Sequence, residues 1–286
     1  MDLPYRSPSS RPAGEATAVR PDLPLPPRGM PMMRARRPLK RWRYIGAFCE
    51  EMMICVGSAR VGPAANAWWA AWDRRTGVLH GRTWLRRGGV RFSDGGVIVR
   101  DGDTAIELRV DEGSVVETIC QVDDTAAYTW TQKQAARPVR GRIALPGAPV
   151  LGLRGLAVVD DSAGYHPRRT SWFWSAGVGE AADGHIVGWN LVTGINDPEH
   201  DSERTIWIDE LPFEPPPVRF DGLAGINGAN GERLDFTAEA TRARHDNLLL
   251  VSSDYEQPFG TFAGVLPGGV ELRSGMGVME RHEARW

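Results

Sequence analysis

Nowhere in these 286 residues do apolar side chains recur at i, i+3, i+4 and i+7 through two clean turns. Long amphipathic helices are therefore excluded from the outset. What recurs instead is a short apolar run closed by glycine or proline, of which there are 33 and 21. Arg41 to Phe48 alternates, and after a turn Met52 to Gly57 runs apolar. Trp68 to Trp72 leads through Asp73-Arg-Arg-Thr-Gly77 into Val78 to His80, the pattern of a hairpin with a glycine-closed loop. More strands are expected at Val97 to Val99, Ala105 to Val110, Val115 to Val122 and Tyr128 to Gln134. The second half adds Leu156 to Val159, Ser171 to Val178, His185 to Val192, Thr205 to Ile208 and Leu234 to Ala243. Asn247 to Ser253, Gly260 to Leu266 and Val270 to Arg281 complete the set. So many strands in one sheet would curl, so the expectation is an all-β, antiparallel barrel or pair of packed sheets, with at most a short helix.

Three regions are expected. Residues 1–37 form a leader rich in proline and arginine; residues 1–40 hold nine prolines and almost no β-branched or aromatic side chains. Such a segment buries too little apolar surface to offset its ordering entropy, so it is expected to be disordered, with Met30 to Leu39 able to lie on the body. The body divides at Leu145-Pro-Gly-Ala-Pro149 into a first β lobe, 38–148, and a second, 149–286.

The net charge of -2 argues against nucleic acid as the main partner, because phosphate binding needs a concentrated basic surface. Residues 1–40 carry eight basic against three acidic side chains, and the rest of the chain carries 26 against 33. Cys49, Cys55 and Cys120 are odd in number and lack C-x-x-C spacing, which fits a reducing cytoplasm better than a disulfide framework or a zinc site. No apolar run serves as a signal peptide or approaches the ~20 residues that span a bilayer. The six histidines show no ligand spacing, and nucleotide-binding and serine-hydrolase motifs are absent, so no metal or cofactor is expected.

Several blocks carry a family resemblance. They are Arg41-Trp-Arg-Tyr44, Trp130-Thr-Gln-Lys-Gln134, the run from Val158 to His166, Trp174-Ser-Ala-Gly-Val178 and Trp189-Asn-Leu-Val-Thr-Gly194. Ser253 to Phe262 and Gly275-Met-Gly-Val-Met-Glu280 complete them. Together they resemble domain of unknown function 2804, from about Arg34 to the last residue. At greater distance the chain is similar to the two-lobed, lipocalin-like group that includes carotenoid hydratases and some pericyclases. The resemblance implies a fold and assigns no activity.

The densest cluster of chemistry is Val158-Val-Asp-Asp-Ser-Ala-Gly-Tyr-His-Pro-Arg-Arg169. Its paired carboxylates can share a proton in a dry mouth, making Asp160 or Asp161 a general acid with His166 as relay and Tyr165 beside them. The plainer reading is a capped turn in which Arg168 or Arg169 pairs with Asp161. Trp172 and Trp174 share one strand face and are either core or the walls of an apolar pocket. Asn190 lies on a face with Ile186, Gly188 and Val192, where an amide without partners costs about 1–3 kcal/mol. It either satisfies a backbone group or orients a ligand. Trp130 and Lys133, the only lysine beyond Lys40, offer a similar mix, with an exposed strand lysine the plainer reading. Asp254 and Tyr255 open a turn and either cap it or face a pocket. Glu280 and His282 lie on one strand face, roughly 7 Å apart, as a proton relay or a solvated edge pair.

These residues fit two classes of function. The first is a β protein enclosing a hydrophobic small molecule, a lipid or isoprenoid, with a cofactor-free hydratase, cyclase or isomerase as its enzymatic form. The second is a structural or interaction protein with a solid interior and a basic docking leader.

Overall fold

The computed structural model describes residues 3–9, 19–86, 88–248 and 251–285. Among them there are strands, turns and bends but no helix. In the first sheet the strands run in the order Val78–Trp84, Ala64–Asp73, Met52–Val61, Lys40–Phe48, Leu151–Gly164, Tyr128–Ala144, Thr104–Val110, Gly96–Asp101 and Val90–Ser93. Val116–Gln121 pairs with Tyr128–Ala144, and Tyr5–Ser7 pairs with Val116–Gln121. The second sheet runs Leu211–Phe213, Thr205–Ile208, Ile186–Thr193, Arg169–Ala181, Val270–Arg285, Val251–Leu266, Arg233–Leu248, Gly225–Asn227 and Arg219–Phe220. Every pairing in both sheets is antiparallel. The Trp68 to His80 hairpin forms as expected, with Gly77 at φ 69° closing its loop, a conformation that glycine adopts without a Cβ penalty.

Each sheet curls on itself and buries one face. Ile45, Ile54, Val56 and Val159 meet Val97, Val99 and Ile106 inside the first lobe. Val187, Trp189 and Ile206 meet Ile226, Leu234 and Phe262 inside the second. Alternation sends the intervening residues to the other face. There Tyr44, Phe48, Met53, Cys55 and Val158 of the first lobe pack against Trp174, Ala176, Val178, Phe259 and Val278 of the second. The runs that looked apolar throughout, such as Met52 to Val56, are thus strands buried on both faces. The lobes approach closely at Gly188, where an added Cβ would stand 2.7 Å from both Ala135 Cβ and the Ala136 backbone nitrogen. That contact falls at a bulge in the Tyr128–Ala144 strand, where Ala136 takes φ 54°.

Two boundaries move. The proline–glycine stretch at 145–149 only reverses the chain between Tyr128–Ala144 and Leu151–Gly164, which are neighbours in the first sheet. The sheets change between Gly164 and Arg169. A tight turn and a domain linker use the same residue types, so composition alone did not separate them. Similarly, the expected strand Asn247 to Ser253 contains a hairpin reversal, with Leu248 opposite Val251.

The leader is placed on the body wherever it is described; residues 1–2 and 10–18 of that expectation lie outside the described residues. Tyr5–Ser7 extends the first sheet, and Leu23, Leu25 and Met30 are buried with Tyr128, Trp130 and Tyr165. Tyr128 Oη donates to the Pro24 carbonyl and Tyr165 Oη to the Pro31 carbonyl, each at 2.7 Å. Its charge is also committed. The buried Arg6 guanidinium donates to the carbonyls of Ser202 and Arg204 and to Thr205 Oγ1, at 2.5, 3.2 and 2.9 Å, and Arg20 forks onto Glu117. A few apolar side chains sufficed because the body supplies the surface that the leader lacks.

Candidate functional site between the lobes

The face that each lobe turns to the other is apolar at its centre and polar toward one end. Lys133 and Asp160 are opposed across Tyr128–Ala144 and Leu151–Gly164, and Lys133 Nζ lies 2.6 Å from Asp160 Oδ1. Glu203 Oε1 approaches the same ammonium at 3.3 Å from the second lobe. All three are nearly inaccessible to solvent. Burial alone would lower the Lys133 pKa, but the two carboxylates outweigh it and raise it, so the ammonium stays charged. Burial raises the Glu203 pKa, with Lys133 opposing.

Around this centre, Asn190 Nδ2 donates to the Glu203 carbonyl at 2.9 Å, and its Oδ1 accepts from Trp174 Nε1 at 2.8 Å. Asn196 Nδ2 donates to Glu203 Oε2 at 3.0 Å. The Trp174 ring meets Tyr44 edge-on, with centroids 5.4 Å apart.

Glu280 lies nearby, its carboxyl flanked by Trp172 Nε1 and Gln257 Nε2, both at 2.9 Å. Burial pushes its pKa up to about 7, with the negative Asp160 adding to the rise and the two hydrogen bonds and Arg242 opposing it. It is a carboxyl group able to hold a proton near neutrality. Trp172 stacks on Trp42 and packs against His282; Trp42 in turn stacks on His166. Burial lowers the pKa of both histidines to about 3, so each is a neutral imidazole. Ser253 Oγ and His282 Nε2 are 2.8 Å apart.

Several polar atoms of this layer are sealed from solvent with no hydrogen bond of good geometry among the described residues, Tyr44 Oη, Tyr255 Oη, Gln257 Oε1 and His166 Nε2 among them; Arg242 lies over the Tyr255 ring at 4.7 Å. Tyr255 and His282 are only half-buried as whole residues, yet the Tyr255 hydroxyl is closed off. Such groups are costly, and native proteins pair nearly all of them with protein, water or ligand.

Of the residues expected from sequence, Lys133, Asp160, His166, Trp172, Trp174, Asn190, Tyr255, Glu280 and His282 converge here. Four do not. Asp161 points the other way from Asp160, because neighbours on a strand alternate; it faces the first lobe's own open end beside Arg43, at 3.5 Å. The two carboxylates therefore do not share a proton through contact, and they sit inside a strand rather than on a turn. Trp130 donates to Glu117 Oε1 at 2.6 Å, and Tyr165 anchors the leader. Asp254 is half-buried beside Arg281, at 3.6 Å. Lys133 is buried rather than exposed, and Val270–Arg285, which carries Glu280 and His282, is a central strand rather than an edge.

Sequence reasoning missed Trp42, Tyr44, Gln257 and Glu203. The first two carried a signal, since they alternate on one strand and share a face. Glu203 lies outside any strand, in the stretch before Thr205–Ile208, and gave none.

Comparison with known proteins places this geometry in context. The model of the family described as "Domain of unknown function (DUF2804)" matches residues 90–286. No curated protein matches the sequence. The crystal structure of kievitone hydratase from Nectria haematococca is similar, at 10% identity and TM-score 0.52, over 86% of this chain and 88% of that one. A putative AttH from Nitrosomonas europaea matches at 14% identity and TM-score 0.46, over 90% and 97%. At 10% identity the likeness to kievitone hydratase shows the fold alone.

Proposed function

Since the chain belongs to the DUF2804 family and folds as two lobes enclosing a layer of aromatic and unpaired polar groups, we propose that it binds an apolar, oxygen-bearing small molecule between them. We propose further that it is a cofactor-free enzyme of the hydratase, cyclase or isomerase class, with Glu280 as the proton donor. The observation that carries this reading is the set of sealed, unpartnered atoms, Tyr44 Oη, Tyr255 Oη, Gln257 Oε1 and His166 Nε2, in the same layer as Glu280. Ligand hydroxyls, which both donate and accept, would pair with them, donating to Gln257 Oε1, and the Trp172 and Trp174 rings would cover the ligand's apolar body.

Glu280 replaces Asp160 and Asp161 in the acid role. Asp160 is tied to Lys133 and is an acceptor, and Asp161 faces elsewhere. Protonated Glu280 would pass its proton to a double bond or a leaving oxygen of the ligand. The positive charge that develops would lie against indole faces. The carboxylate left behind keeps its hydrogen bonds from Trp172 and Gln257. Water then adds, or a neighbouring carbon loses hydrogen, and the released proton returns to Glu280. A structural neighbour is named a hydratase, which fits this class, although fold by itself assigns no chemistry.

The described clefts, about 680 and 510 Å³, lie on the first lobe and involve neither Glu280 nor Trp174. On this reading the site opens when ligand enters. Mass spectrometry of protein purified natively from its host tests it, with Tyr44→Phe and Tyr255→Phe as partners. An apolar molecule should co-purify with the wild type and be depleted from both variants. An empty wild-type protein, with both variants more stable by about 1 kcal/mol for losing an unsatisfied hydroxyl, would leave a solid-cored structural protein instead.

A further inference from the structure

We infer that the open end of the first lobe is a second binding site, for a single-chain molecule with an apolar body and an anionic head, a carboxylate or phosphate. The inference does not rest on the reading of the layer between the lobes. A cleft of about 510 Å³ opens there, within the usual range for small-molecule sites. Its apolar lining includes Val90, Phe92 and Trp130, and Pro26 of the leader borders it.

The charges at this cleft are the unusual part. Arg41 and Arg60 are direct partners across adjacent strands, and both line it. Neither has an acidic partner among the described residues, although many arginines of this chain do, Arg82 on Asp101 and Arg233 on Asp235 among them. Like charges directly opposed across a sheet destabilise it, so a fold keeping both unpaired bears a cost that a bound anion would remove. Arg43 adds a third guanidinium, 5.4 Å over the Phe92 ring, with its Nε 3.5 Å from Asp161 Oδ1. Asp161 is the one acid in the lining, so the cleft is positive by two charges within a chain whose net charge is -2. Guanidinium forks over an aromatic floor recognise carboxylate or phosphate on an apolar molecule. The cleft's volume suits one chain, which favours a free amphiphile over a bilayer lipid.

Isothermal titration of the full chain with decanoate, decyl phosphate and 1-decanol tests this, alongside phosphatidylglycerol vesicles and the variant R41Q/R60Q. Decanoate and decyl phosphate should bind at least tenfold more tightly than 1-decanol. R41Q/R60Q should lose about tenfold for the anions only, while its melting temperature holds or rises. Salt at about 0.5 M should weaken anion binding in the wild type. Equal affinity for 1-decanol and decanoate, or unchanged binding by R41Q/R60Q, would overturn the site. Binding to vesicles without binding to decanoate would reassign it to a membrane surface. Decanoate binding lost in E280Q but kept in R41Q/R60Q would move the ligand between the lobes and also overturn it.

Discussion

Lys133 and Asp160 face each other across two neighbouring strands of the first lobe, and their side chains close to 2.6 Å in a layer that the second lobe seals with Glu203. One cation is therefore shared between a carboxylate from each lobe. Replacing Lys133 with methionine leaves two buried acids without it. Urea denaturation should show a loss of about 3–5 kcal/mol, the usual result of breaking a buried pair on one side. In a double-mutant cycle, Lys133→Met and Asp160→Asn should be strongly non-additive, because Asn carries no charge to strand. Additive losses would deny the coupling.

Titration in the same layer should give stability two opposed slopes. Glu280 has a folded pKa of about 7, above its unfolded value, so its contribution is complete below the unfolded carboxyl pKa and fades as pH rises through 7. His166 and His282, with folded values of about 3, act oppositely: their contribution is complete above the unfolded imidazole pKa and fades as pH falls toward 3. Glu280→Gln should flatten the loss between pH 5 and 8, worth about 3 kcal/mol at most, and leave the acid limb in place. Denaturation curves across that range would show it. Any proton-donating activity should decline above pH 7.

The leader's contact with the second lobe predicts a structural role. Arg6 secures the carbonyls on either side of Glu203, and burial lowers its pKa only to about 10, so it remains charged. Arg6→Gln should cost about 2–3 kcal/mol in thermal or urea melts. Deleting residues 1–37 should lower the melting temperature further, because Leu23, Leu25 and Met30 leave with it. An unchanged melt in both would return the leader to a passive tail.

Gly188 predicts how tightly the lobes must dock. Gly188→Val places its side chain against Ala135 and Ala136 and should cost about 1–3 kcal/mol by overpacking. Gly152→Val, where an added Cβ meets nothing within 4 Å, is the matched control and should be near neutral. Equal costs would show that the close approach is not what Gly188 serves.

How much of this was written in the sequence depends on the range of the interaction. Strand positions, the Trp68 to His80 hairpin and the shared face of Glu280 and His282 all follow from local alternation and turn chemistry. Nine of the thirteen candidate residues converge because a polar side chain among apolar neighbours is a local anomaly that needs a distant cause. The failures are of another kind. Whether Asp160 or Asp161 faced the partner lobe depended on the phase of one strand against a neighbouring sheet, and a shift of one residue inverts it. Glu203 sits outside any strand and carries no periodicity to read. Where the described parts of the leader dock was not legible, because its few apolar residues are too sparse to form a core, yet sufficient to complete one.

Alternation along the backbone fixed an all-antiparallel architecture, since period-2 patterning depends only on adjacent residues. The meeting of Lys133 with Glu203, the docking of Arg6 and the proton affinity of Glu280 were decided by the packing of one curled sheet on another. Burial and Coulomb energies depend on distance in space, which the order of residues does not contain.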